Sequence, residues 1–152
     1  MEEKKLLSKP WAGWAHFNCN EHMRISYIDD MPIFMLDEII ASIEEHRHFL
    51  VTFDAEGYEY SIVSYDRFSV ECILRTKETP EIIVLPYTFE EFISQIILDI
   101  KNDIDDWVAF SFDTFFIDEQ NKKNINKVNK KKQEILQKIN KIENLKTKIH
   151  KK

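Results

Sequence analysis

Apolar positions change their spacing several times along this chain, and each change predicts an element. Met23, Ile25 and Tyr27 alternate with polar neighbours, which predicts a strand over 23–28. Asp29-Asp30-Met31-Pro32 punctuates the chain, and Leu36, Ile39, Ile40 and Ile43 then recur at helical spacing, predicting a helix over 33–47. The period returns to two at Phe49-Leu50-Val51-Thr52-Phe53 and Tyr58-Glu59-Tyr60-Ser61-Ile62-Val63. The segment Asp54-Ala55-Glu56-Gly57 between them ends on the residue that most readily supplies positive φ in a hairpin loop. Phe68, Val70, Cys72 and Leu74 predict a third strand, and Ile82-Ile83-Val84-Leu85 a fourth after the turn Glu78-Thr79-Pro80. Short connections of this kind predict an antiparallel meander.

Thr88 and Glu91 have the spacing of a capping box, in which each side chain accepts from the other residue's free amide. The helix they open carries Phe89, Phe92, Ile93, Ile96, Ile97, Ile100 and Ile104 on one stripe. Over 107–117 two readings stay open: Val108, Phe110 and Phe112 alternate as in a strand, yet the preceding helix can also continue. Beyond residue 117 the chain becomes Lys, Asn, Gln and Glu with a thin apolar seam of Val128, Ile135, Ile139, Ile142 and Ile149. That pattern predicts one helix of about 30 residues, roughly 45 Å long. It can zip onto a second copy, pack along the rest of the chain, or stay partly ordered.

The fold class expected is α+β: an antiparallel sheet of four to six strands, two amphipathic helices on one face, and a long C-terminal helix. Three regions follow: a flexible N-terminus over 1–10, an α+β domain over 11–117, and a basic helix over 118–152.

Charge sharpens this division. Residues 1–119 hold 9 Lys and Arg against 25 Asp and Glu, a balance of −16, whereas residues 120–152 hold 12 against 2, a balance of +10. An acidic body favours cationic partners and repels nucleic acid and anionic membrane. The basic tail has no Arg and no aromatic residue, so it is poorly equipped to read or stack on bases. The expected partner is therefore a basic protein, with no direct nucleic acid, no membrane, and a homo-oligomer through the C-terminal helix as a further option.

Candidate chemistry is sparse. Gly13 and Gly57 are the only glycines, too few for a phosphate-cradling loop or a dinucleotide fingerprint. His16-x-x-Cys19-x-x-His22 is the one metal-like spacing, and it lacks the paired ligands of a zinc site, so no metal and no cofactor is expected. The five histidines stand in no nucleophile-elbow or oxyanion-hole motif, and the reading is of a protein that is not an enzyme. Cys19 and Cys72 read as reduced thiols. Met1-Glu2-Glu3-Lys4-Lys5 leads into no apolar core segment and no run approaches a membrane span, which points to the cytoplasm. The abundance of Lys, Asn and Ile points to A+T-biased coding and a bacterial or phage source.

Glu90, Glu91, Asp99, Asp103, Asp105 and Asp106 are the candidate partner-binding residues. They cluster on or just beyond one helix, where like charges three or four apart repel one another and only Lys101 offers local relief. Tyr58, Tyr60, Tyr65 and Trp107 are candidates for aromatic hot spots, with burial in the core as the competing fate.

The run Phe53-Asp54-Ala55-Glu56-Gly57-Tyr58-Glu59-Tyr60, the strand over 68–74 and the helix over 88–104 resemble the small immunity proteins of bacterial polymorphic-toxin and contact-dependent growth-inhibition systems. The resemblance implies capture of a cognate basic toxin, often a nuclease, by covering its active site or substrate groove. An assembly protein joined through its C-terminal helix and a phage anti-defence inhibitor are the alternatives.

Overall fold

The structure, a computed structural model, describes residues 5–27, 29–76, 78–110 and 122–146, with the backbone alone for 122–125. The fold is α+β. Four strands, β3 (Phe49–Asp54), β4 (Glu59–Ser64), β5 (Val70–Arg75) and β6 (Glu81–Leu85), form an antiparallel meander in the order β3-β4-β5-β6. Two short strands, β1 (Trp14–His16) and β2 (Arg24–Ser26), form a separate antiparallel pair.

Period two explains the meander. The register aligns Val51 with Ile62, Ile62 with Cys72 and Cys72 with Ile83, so one face gathers the apolar side chains of all four strands. Helices α1 (Ile33–Glu44) and α2 (Phe89–Asn102) bury their apolar stripes against this core. Phe34 of α1 meets Phe53 edge-on with ring centroids 5.2 Å apart, and Phe89 of α2 lies 5.2 Å from Phe49. Aromatic pairs at this distance add about 0.5–1.5 kcal/mol beyond burial alone. The β1–β2 pair covers the end of the sheet through Phe17, which touches Phe53 and Tyr60.

The capping box at Thr88 is formed as the sequence predicts: Thr88 N–H donates to Glu91 Oε1 at 2.9 Å and Glu91 N–H to Thr88 Oγ1 at 3.2 Å. Residues 104–109, including Trp107 and Val108, form helix α3 (Ile104–Ala109), and Trp107 is fully buried. The helical alternative therefore holds for that part, and 111–117 lie outside the described residues.

The N-terminus differs from expectation. Leu6 and Leu7 are buried, Leu7 bridges Phe17, and Leu6 C=O accepts from Asn18 N–H at 2.7 Å. Leu6 and Leu7 belong to the core, whereas Lys9 is exposed.

The last helix, α4 (Lys122–Leu145), packs chiefly along α1 and α3. Of the expected seam, Ile135, Ile139 and Ile142 are in the core and Val128 is packed at its margin, Leu145 joins them, and Ile149 lies outside the described residues. Of the three arrangements that the seam allows, the structure contains docking onto the body.

Candidate functional site

The six carboxylates singled out from the sequence do not make one surface. Asp99 is buried, and its Oδ2 accepts the backbone N–H groups of Leu6 at 2.7 Å and Leu7 at 2.9 Å, while Oδ1 accepts from Gln95. The expectation that all six face a partner is thus corrected at Asp99, which sits on the inner face of α2 and binds the chain's own backbone. Helical periodicity places it there, three residues after Ile96 and one before Ile100, and spacing from the other acids conceals this.

The neighbours are also engaged. Asp103 pairs with Lys5 at 2.9 Å, Asp106 lies 3.7 Å from Lys9, and Asp105 pairs with Lys132 of α4 at 3.0 Å. Glu91 serves the capping box, whose hydrogen bonds hold its carboxyl below the usual range. Glu90 is half-buried on the first turn of α2.

Helix α4 neutralises a second set of acids. Lys131 approaches Asp30 at 3.3 Å, Lys138 meets Asp37 at 2.5 Å, and Lys141 meets Glu44 at 3.4 Å. In the opposite sense, Glu143 of α4 receives Lys101 of α2 at 2.6 Å. The basic tail therefore compensates the α1 and α3 side of the body. Each exposed pair contributes little, at most about 1 kcal/mol, so the buried isoleucines supply the larger share of docking.

Among the described residues, one group of acids without a basic partner lies around β2 and the β3–β4 hairpin, and Asp66, Glu71, Glu78 and Glu81 are others. Asp29, Asp54 and Glu56 have no basic partner within salt-bridge distance among the described residues. Asp54 N–H donates to Asp29 Oδ2 at 3.1 Å, Asp54 Oδ1 accepts from Glu56 N–H at 2.9 Å, and Ser26 Oγ bonds Glu56 at 2.7 Å. Burial, with the Asp54 charge adding to it, pushes the Asp29 carboxyl above the usual range.

Beside these acids stands an aromatic cluster. The backbones of Trp11 and Trp14 exchange hydrogen bonds of 2.9 and 3.0 Å around a two-residue turn. Ala12 and Gly13 in that turn both have positive φ, 53° and 81°, as tight hairpin turns require. Trp11 is left 81% exposed, with Trp14 at 37% and Tyr27 at 55%. A Cβ at Gly13 would stand 3.3 Å from the Tyr27 ring, so that ring lies directly on the turn. The Arg24 guanidinium lies 5.3 Å from the Trp14 ring centre and 5.5 Å from that of Tyr58. Tyr58 in turn donates its hydroxyl hydrogen to the His22 carbonyl.

Sequence reasoning named Tyr58 and Tyr65 and missed Trp11, Trp14 and Tyr27. Tyr65 is exposed, Tyr58 is half-buried, and Tyr60 and Trp107 are core residues. Burial pushes the Tyr60 hydroxyl well above the usual range. Trp11-Ala12-Gly13-Trp14 did hold a signal, a Gly in the second position of a two-residue turn between aromatics.

The metal-like triplet comes to less. Residues 16–21 line a shallow open depression, and among the described residues no three His, Cys, Asp or Glu side chains are grouped to hold a metal ion. Cys72 is buried, which pushes its thiol up to about 12. Among the described residues no helix is long and apolar enough to cross a membrane.

In comparisons with protein-family models, curated proteins and solved structures, the chain matches none of them. The α+β fold and its surface are therefore the basis for a functional reading.

Proposed function

We propose that this is an immunity-type binding protein that captures a cognate basic protein, a toxin enzyme of nuclease type, and blocks its active site or substrate groove. The observation that carries the reading is the division of charge: α4 neutralises acids of α1 and α3, while Asp54 and Glu56 of the β3–β4 hairpin have no basic partner within salt-bridge distance among the described residues. Uncompensated surface charge of one sign raises the association rate with a partner of opposite sign and excludes partners of like sign. A nuclease must carry a positive groove for its substrate, so the same groove is the complement of this surface. The resemblance to immunity proteins supports the same reading, and cytoplasmic residence fits it.

The test is titration calorimetry against the products of the neighbouring genes that are basic, at low and at physiological salt. Binding that weakens as salt rises, together with loss of nuclease activity in the complex, is the expected result. Absence of binding at low salt, with no basic protein co-purifying from the native host, refutes it.

A further inference from the structure

Resting on that reading, we propose that the Trp11–Trp14 turn, with Arg24, Tyr27 and Tyr58, is the docking surface, and that it receives arginine-bearing surface of the basic partner. Three observations converge on it. The first is exposure: at 81%, Trp11 is the most exposed large hydrophobic side chain among the described residues, although burying such a ring is among the largest apolar gains open to a fold. The second is presentation. The turn is tied down on both sides, by the Trp11–Trp14 backbone pair and by Tyr27 N–H donating to Gly13 C=O at 2.9 Å. An indole held on a short turn tied down by three backbone hydrogen bonds loses little freedom when a partner covers it.

The third is charge. The cluster contains one guanidinium, Arg24, which is occupied by aromatic faces, and it is bordered by Asp29, Asp54 and Glu56, linked through Ser26 to strand β2. Trp14 pairs with Ser26 across β1 and β2, so the indoles and these carboxylates share one end of the molecule. An arginine side chain satisfies both features at once: its planar face stacks on an indole, and its N–H fork reaches a carboxylate. Trp, Tyr and Arg are also the residue types that dominate binding hot spots. The acidic first turn of α2 then lies outside the contact, and Glu91 is left to its cap.

The surface is tested by NMR titration of the full chain with a short synthetic peptide of Arg and Lys alone. The indole N–H signals of Trp11 and Trp14 and the amides of residues 54–56 are expected to shift, while buried Trp107 stays still. Trp11→Ala should weaken binding at least about tenfold, the scale of a hot-spot residue. The double change Asp54→Asn with Glu56→Gln keeps the shape and should flatten the salt dependence. If the peptide instead shifts α1 and α4, the basic-partner reading stands and this surface is wrong. If neither set moves at low salt, both fail. A single-stranded oligonucleotide that shifts the same indoles while the peptide does not would also overturn the proposal, because stacking without charge preference would then explain the exposed tryptophans.

Discussion

Asp99 Oδ2 accepts the backbone N–H of Leu6 at 2.7 Å, across 93 residues of sequence. One buried carboxylate on α2 thereby holds the N-terminal segment in the core. Removing it leaves two buried N–H groups, those of Leu6 and Leu7, without an acceptor. Asp99→Ala is expected to cost roughly 3 kcal/mol or more, because each orphaned buried donor costs about 1–3 kcal/mol. Asp99→Asn keeps one oxygen in place and should cost less. Urea unfolding of the two variants measures the difference, and equal losses would show that the amides are not the reason.

The seam of α4 and its lysines should separate by size and by salt. Ile139 is buried, so Ile139→Ala should destabilise docking by about 2–5 kcal/mol. Lys138→Ala and Lys141→Ala remove ion pairs with Asp37 and Glu44 and should each cost at most about 1 kcal/mol. Limited trypsin digestion reads the docking directly. In the wild type, cleavage within residues 126–146 should be slow at all salt concentrations and slightly faster at high salt. Cleavage in Ile139→Ala should be fast throughout. Rates that do not respond to Ile139 would mean that the seam does not hold the helix.

Asp29 provides a pH signature. Its folded pKa is raised, mainly by burial, so the folded state holds the proton more strongly than the unfolded chain does. The stability it contributes is present at acid pH, below the ordinary carboxylate value, and is lost as pH rises through the folded pKa. Asp29→Asn preserves the oxygen that accepts from Asp54 N–H and removes the charge. The variant should therefore be more stable than the wild type at neutral pH and equal to it at strongly acid pH, as followed by thermal melting. A gap that is the same at both ends would assign the effect to something other than titration.

The capping box gives the opposite slope. The Glu91 carboxyl is lowered by its bonds to Thr88, so its contribution is present above the ordinary carboxylate range and is lost as pH falls through the folded value. Thr88→Ala should cost about 1 kcal/mol, the usual worth of an N-cap. The stability gap between wild type and Glu91→Ala should narrow on acidification. Chemical denaturation at neutral and acid pH tests both statements.

Much of the architecture was legible because periodicity follows from burial on one face. Phe49, Val51 and Phe53 point to the core for the same reason that they alternate, and Ile93, Ile96 and Ile100 recur because a helix turns every 3.6 residues. Thr88 and Glu91 were legible because a cap is local, closed within four residues. The candidate site was less legible. Asp99 carries the same charge as Asp103 and Asp105, and only its position on the α2 stripe separates it from them. Leu6 and Leu7 form no periodic pattern of their own, so nothing near them in sequence announces that Asp99 will hold them.

The sequence by itself determined the four strands of the meander, the helices α1, α2 and α4, the capping box and the division into acidic body and basic tail, since each depends on neighbours within a few turns of chain; β1 and the helical state of 104–109 were decided by packing. Only the tertiary structure decided which carboxylates are spent. Asp99 binds backbone, Asp37 and Glu44 face the lysines of α4, and Asp54 and Glu56 have no basic partner among the described residues. Charge acts through space with a decay length of about 8 Å at physiological salt, so its partners are set by packing and not by order along the chain.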